Sequence, residues 1–129
     1  MKIATYENFL KEKDALSFDE AMKIYEDIID SADSKDSDFL ELWEEFLANA
    51  FEYTNIRVGW SLKTTEEKRE KDEARTAKHN DTIRSLRMIS RYLAAQDKDV
   101  SWIEILDTDR KVLGDFANYI TYIYALNER

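Results

Sequence analysis

Cysteine and proline are absent from this 129-residue chain, glycine occurs only at Gly59 and Gly114, and the one histidine is His79. Without cysteine there can be no disulfide, no thiolate metal site and no cysteine nucleophile. With so little turn punctuation a β-rich domain has nothing to end its strands on, so long helices joined by short links are expected. Long apolar runs are missing as well, and no window reaches the roughly 18 apolar residues of a membrane span. The stretch Met1-Lys2-Ile3-Ala4-Thr5-Tyr6-Glu7 has no apolar leader core and runs straight into charge, which makes the cytoplasm the expected location.

Apolar mass is plentiful. Hydrophobic residues make up 43% of the chain, with three Trp, seven Tyr and six Phe. That supports a packed core in a single domain spanning 1–129. The net charge of −9 is uneven: residues 7–45 hold 14 acidic and 4 basic side chains, and the remainder is nearly balanced. An acidic surface repels phosphate backbones and anionic membranes, so neither nucleic acid nor membrane is the expected partner. A basic protein is.

Periodicity divides the chain into helices. A short one is expected over 6–14, capped by Thr5. Ser17-Phe18-Asp19-Glu20 reads as a capping box opening a second, with Phe18, Ala21, Met22, Tyr25, Ile28, Ile29 and Ala32 on its buried face. Asp36 or Ser37 caps a third, expected to run to 62 and to occupy the centre. Its stripe is centred on Leu47, with Leu40, Trp43, Ala50, Phe51, Thr54 and Val58 around it and Phe39, Leu42, Phe46 and Tyr53 on one flank. Thr64 and Glu67 form a second capping box for a long helix to about 96, with Thr82, Ile83, Leu86, Ile89 and Leu93 inward. Ser101 and Glu104 suggest a third box and a short helix through 106; a hairpin pairing 102–106 with 111–113 is the alternative. The last helix spans 109–126, with Leu113, Phe116, Ala117, Ile120, Ile123 and Tyr124 buried. The expected fold is an all-α antiparallel bundle of five or six helices.

Candidate chemistry is sparse. Di-iron bundles pair Glu-x-x-His motifs, and here a single histidine follows Thr76 rather than a glutamate at that spacing. Glu66-Glu67-Lys68-Arg69-Glu70 matches half of a helical pyrophosphohydrolase motif, but its alternating charges fit a solvated helix. No metal and no cofactor are expected. Arg84, Arg87 and Arg91 line one face, as an anion-binding stripe or a solvated one. His79 and Arg75 fall on the inward stripe of the long helix, either as a polar pocket or paired with carboxylates of a neighbour. Trp60 and Tyr122 fall off the apolar arcs and are candidate interface residues, with a homodimer through the last helix as one outcome. Gly114 sits inside a helix, at a cost of about 1 kcal/mol that calls for a reason such as a close helix crossing.

Arg75 with Lys78-His79-Asn80, Arg91-Tyr92-Leu93, and Asp109-Arg110-Lys111-x-x-Gly114-Asp115-Phe116-Ala117-x-Tyr119-Ile120 resemble a family of small all-helical proteins from lactic-acid and streptococcal bacteria. The resemblance covers 73–129. It implies an all-helical fold and a cytoplasmic setting, supplies no activity, and groups Arg75, His79, Arg110 and Asp115 as one polar cluster.

Two functional readings follow. In the first the chain is a non-enzymatic interaction or regulatory module, of antitoxin-like, immunity or phage-related type, that binds another protein. In the second the cluster binds a small anion or hydrolyses a substrate: Arg75 and Arg110 hold the anion, Asp115 orients His79, and His79 moves a proton.

Overall fold

The computed structural model describes residues 15–127, which form an all-α helical bundle. The helix expected over 6–14 lies outside the described residues. Helix α1 (Phe18–Ser31) opens on the predicted capping box: Ser17 Oγ accepts the Glu20 N–H at 3.1 Å and Glu20 Oε1 accepts the Ser17 N–H at 3.3 Å. It buries Ala21, Ile24 and Ile28, while Met22, expected inward, is exposed. The buried face is thus rotated by roughly one residue from the expected stripe.

Helix α2 (Ser37–Arg57) is capped by Asp36, whose Oδ1 accepts the N–H groups of Asp38 at 3.1 Å and Phe39 at 3.3 Å. It stops at Arg57 rather than running to 62. Gly59 takes the left-handed conformation at φ +74°, which glycine adopts at no steric cost, and the chain reverses into a 3₁₀ turn over Trp60–Leu62. Helix α3 (Thr65–Ala94) begins on the Thr64–Glu67 box and ends before Asp97, whose φ of +64° terminates the helical run.

Helix α4 (Trp102–Leu106) resolves the choice between helix and hairpin in favour of the helix. Its expected Ser101 cap does not form, because Ser101 has helical dihedrals of its own and its N–H donates instead to Asp99 Oδ1 at 2.9 Å. Helix α5 (Arg110–Asn127) begins with Asp109 Oδ1 accepting the Val112 N–H at 3.0 Å.

Cross-links give the helix directions. Asp36 meets Tyr92, Asn49 meets Ser85, and Glu52 meets Lys78, so α2 and α3 are antiparallel. Trp43 Nε1 donates to Tyr124 at 2.8 Å, Phe46 stacks on Phe116, and Arg57 lies at Gly114, so α2 and α5 are antiparallel too. Helices α3 and α5 therefore run the same way. The link through α4 descends along α3, held by the bidentate Arg87–Asp107 pair. One core cluster draws on all five helices, with α2 packed chiefly against α3 and α5.

The buried face of α2 is not the one expected. Phe39, Trp43, Phe46, Ala50 and Tyr53 are buried, whereas Leu47 is half-buried and Leu40 and Phe51 are 41% and 37% exposed. Phe39, Phe46 and Tyr53, expected on the flank, join Trp43 and Ala50 to form the true centre. The large aromatics each find an aromatic neighbour: Trp43 packs on Phe39 and Phe46, Phe46 on Phe116, and Tyr53 on His79.

Candidate functional site

The C-terminal end of α2 and the N-terminal end of α5 meet the middle of α3, and this end of the bundle holds Arg57, Arg75 and Arg110. Tyr53 is the buried centre. The His79 ring meets it edge-on at 5.8 Å. The Arg57 guanidinium lies 5.8 Å from the same ring. Arg75 stacks over Trp60 with 4.2 Å between guanidinium carbon and ring centroid, and donates to Asp72 at 2.9 Å. Arg110 donates to Thr76 Oγ1 at 2.9 Å. Burial pushes the Tyr53 hydroxyl up in pKa, and Arg57, Arg110 and Arg75 all pull it back down, so the three cations share one neighbourhood.

Gly114 is explained here. A Cβ at that position would overlap the Arg57 guanidinium and come within 2.7 Å of its Nε. The bare glycine lets the arginine lie flat on α5. This is the close approach that its helix-interior cost called for. Two guanidinium nitrogens at this end, Arg57 Nη1 and Arg75 Nε, are buried and have no hydrogen-bond acceptor among the described residues.

The structure thus brings Arg75, Arg110 and His79 to one end of the bundle, with Asp115 close enough to act on Tyr53. It does not build the expected Asp115–His79 pair. Asp115 is fully buried and accepts the Leu16 N–H at 3.2 Å through Oδ2, whereas His79 Nδ1 lies 3.2 Å from Asn80 Oδ1. Asp115 on this helix faces the segment that leads into α1, so its carboxylate anchors the chain entry and does not reach the imidazole.

Sequence reasoning missed Arg57. It lies on the α2 face of Ala50 and Tyr53, one of the few charges on that stripe, but centring the wheel on Leu47 moved that face to the edge. Of the two expected interface residues, Tyr122 is only 5% exposed and belongs to the core cluster rather than to a free surface, because α5 is covered on more than one side. Trp60 is half-buried under Arg75. Of the arginine stripe on α3, Arg84 pairs with Asp81 and Arg87 with Asp107.

A second feature lies on the outer side of α2. Leu40 and Phe51 form an exposed apolar row with half-buried Leu47 between them, and Val58, 63% exposed, extends it past the helix end. Glu41, Glu44 and Glu45 are exposed on the same helix, and none has an ion-pair partner among the described residues.

Among the described residues no three His, Cys, Asp or Glu side chains are grouped to hold a metal ion, and no helix is long and apolar enough to cross a membrane. Comparison with family models, with curated proteins and with solved structures finds no match to the chain.

Proposed function

We propose that this chain is a non-enzymatic protein-interaction module whose working surface is the outer face of α2, and that it takes a basic amphipathic helix. The observation that carries the reading is the row of Leu40, Leu47, Phe51 and Val58 beside the exposed acids Glu41, Glu44 and Glu45, which have no ion-pair partner among the described residues. At about 1.5 Å per residue, the row from Leu40 to Phe51 is roughly 16 Å long, the length of three helical turns. Exposed Phe and Leu side chains in line are the anchors of helix-on-helix recognition, and they gain free energy when a partner removes them from water. The flanking carboxylates then select the partner's charge and speed its approach.

A second copy of the chain fits this face less well. Glu41, Glu44 and Glu45 are exposed beside the row, and the stretch 7–45 leading into it holds 14 acidic and 4 basic residues, so two copies would oppose like charges. An antitoxin-like, immunity or phage-related regulator in a bacterial cytoplasm is the setting that suits such a module. The likeness of 73–129 to the family of small helical bacterial proteins belongs to the same proposal.

Fluorescence anisotropy with a labelled Leu/Lys peptide, its leucines on one helical face, tests the reading against a scrambled peptide of identical composition. The wild-type chain binds the amphipathic peptide in preference to the scramble, and Phe51→Glu weakens that binding at least about tenfold. Equal binding of the two peptides, or an unaffected Phe51→Glu variant, overturns it. So does a dimer in sedimentation velocity that Phe51→Glu dissociates, which assigns the face to a second copy.

A further inference from the structure

We propose that the arginine end of the bundle, formed by Arg57, Arg75 and Arg110 around Tyr53, is a binding site for the phosphate group of a small ligand. The first argument is the state of the donors. Arg57 Nη1 and Arg75 Nε are buried without an acceptor among the described residues. A buried donor left unpaired costs on the order of 1–3 kcal/mol, and more when it is charged. Two such donors on neighbouring cations are what a site looks like when its anion supplies the missing acceptors.

The second argument is preorganisation. Each guanidinium is held by something other than a ligand. Arg57 is laid against Tyr53 and the bare Gly114 backbone, Arg75 is stacked on Trp60 and tied to Asp72, and Arg110 is tied to Thr76. Long side chains fixed in this way lose little further freedom when they bind. Gly114, in the second turn of α5, leaves the space in which the Arg57 guanidinium lies, and a methyl group there would push it aside.

The third argument is charge. Three arginines meet here in a chain of net charge −9. One carboxylate, Asp72, is bonded to Arg75, and a second, Asp115, accepts from Leu16 and lies near Tyr53. Among the described groups that act on Tyr53, the three arginines outnumber the one carboxylate, Asp115. The downward pull of all three arginines on Tyr53 agrees with a locally positive field.

The donor set also selects the anion. Guanidinium groups from three helices present more N–H donors than the two oxygens of a carboxylate accept. A phosphate monoester offers three strong acceptor oxygens and nearly two negative charges. Half-buried Trp60 lies under the Arg75 guanidinium and half-buried His79 against Tyr53, at the same end of the bundle. No step of covalent chemistry is involved. The site uses residues distinct from the outer row of α2, so either reading can fail while the other stands.

The test is calorimetric titration of the full chain with inorganic phosphate at constant ionic strength, with acetate and chloride as parallel titrants. Saturable phosphate binding that acetate and chloride do not reproduce is expected, together with a phosphate-dependent rise in Tm. Arg57→Gln and Arg110→Gln each weaken it about tenfold or more, the size of one charge-assisted hydrogen bond. Gly114→Ala keeps every charge yet displaces Arg57, and it weakens phosphate binding as well. Arg110 is exposed, so its variant reports on binding even if Arg57→Gln proves too unstable to study. Equal response to acetate overturns the phosphate assignment. Wild-type affinity in Arg110→Gln and Gly114→Ala, or no saturable binding at all, overturns the site.

Discussion

The Arg57 guanidinium occupies the volume that a side chain at Gly114 would need. This couples the end of α2 to the first turns of α5, and a double-mutant cycle makes the coupling measurable. In an otherwise wild-type chain, the helix-propensity gain of Gly114→Ala, about 1 kcal/mol, is offset by displacement of the arginine. In an Arg57→Ala background the obstacle is gone, and the same substitution stabilises the fold by about that amount. Denaturant unfolding of the four proteins checks this; additive effects would mean that the two residues do not compete for space.

Truncation separates the buried face of α2 from the outer one. Phe46 is fully buried between Trp43 and Phe116, and Phe46→Ala is expected to cost about 3–5 kcal/mol. Leu40→Ala, at a position 41% exposed, is expected to cost less than about 1 kcal/mol. Urea midpoints for the two variants decide it. The opposite order would restore the Leu47-centred stripe as the core face.

Three Ser-to-Glu or Thr-to-Glu spacings look alike in sequence, yet only two of them form reciprocal caps. Ser17→Ala and Thr64→Ala should each lower stability by about 1 kcal/mol, since each removes an acceptor for an otherwise orphaned helix N–H. Ser101→Ala should change it by no more than a few tenths of a kcal/mol, because the Ser101 side chain makes no cap bond. Thermal melts of the three variants provide the comparison.

At high pH the aromatic contact of α1 with α5 becomes a weakness. Burial pushes both Tyr25 and Tyr119 up to about 12, and their rings lie 6.2 Å apart. The folded chain therefore holds these protons more tightly than the unfolded chain does. Their contribution is fully present below the unfolded tyrosine pKa of about 10 and is lost as pH rises towards the folded values. Stability should fall between these limits, and Tyr119→Phe should flatten that fall. Denaturation midpoints across the alkaline range, beside the tyrosinate absorbance, test it; no difference between wild type and variant would contradict the assignment.

Much of the fold was legible because helix boundaries here are written locally. Ser17 with Glu20 and Thr64 with Glu67 each act on backbone groups within a turn of themselves, whereas the stop at Gly59 was not read and the expected helix ran on to 62. The inward face of α3 was legible for a related reason, since Thr82, Ile83, Leu86, Ile89 and Leu93 sit on an otherwise charged helix and leave one apolar direction. Helix α2 was harder. It is apolar over so wide an arc that its own sequence does not say which part meets a neighbour. The decision is made by α5, whose Phe116 and Tyr124 receive Phe46 and Trp43. The same error hid Arg57, because a basic residue one turn from Tyr53 has meaning only once Tyr53 is known to be central. His79, Arg75 and Arg110 come to one end of the bundle, but the expected pairing of Asp115 with His79 does not form. The entry of the chain at Leu16, a contact spanning most of the sequence, takes up its carboxylate.

The account stands or falls on what docks along the outer row of α2. Backbone amide shifts followed by NMR during titration with the amphipathic Leu/Lys peptide read this residue by residue. The account predicts saturable changes concentrated along 40–58 on the outer face, with the buried Phe46 and Phe116 region little affected. Changes scattered over every acidic surface, or confined to the arginine end, would contradict it.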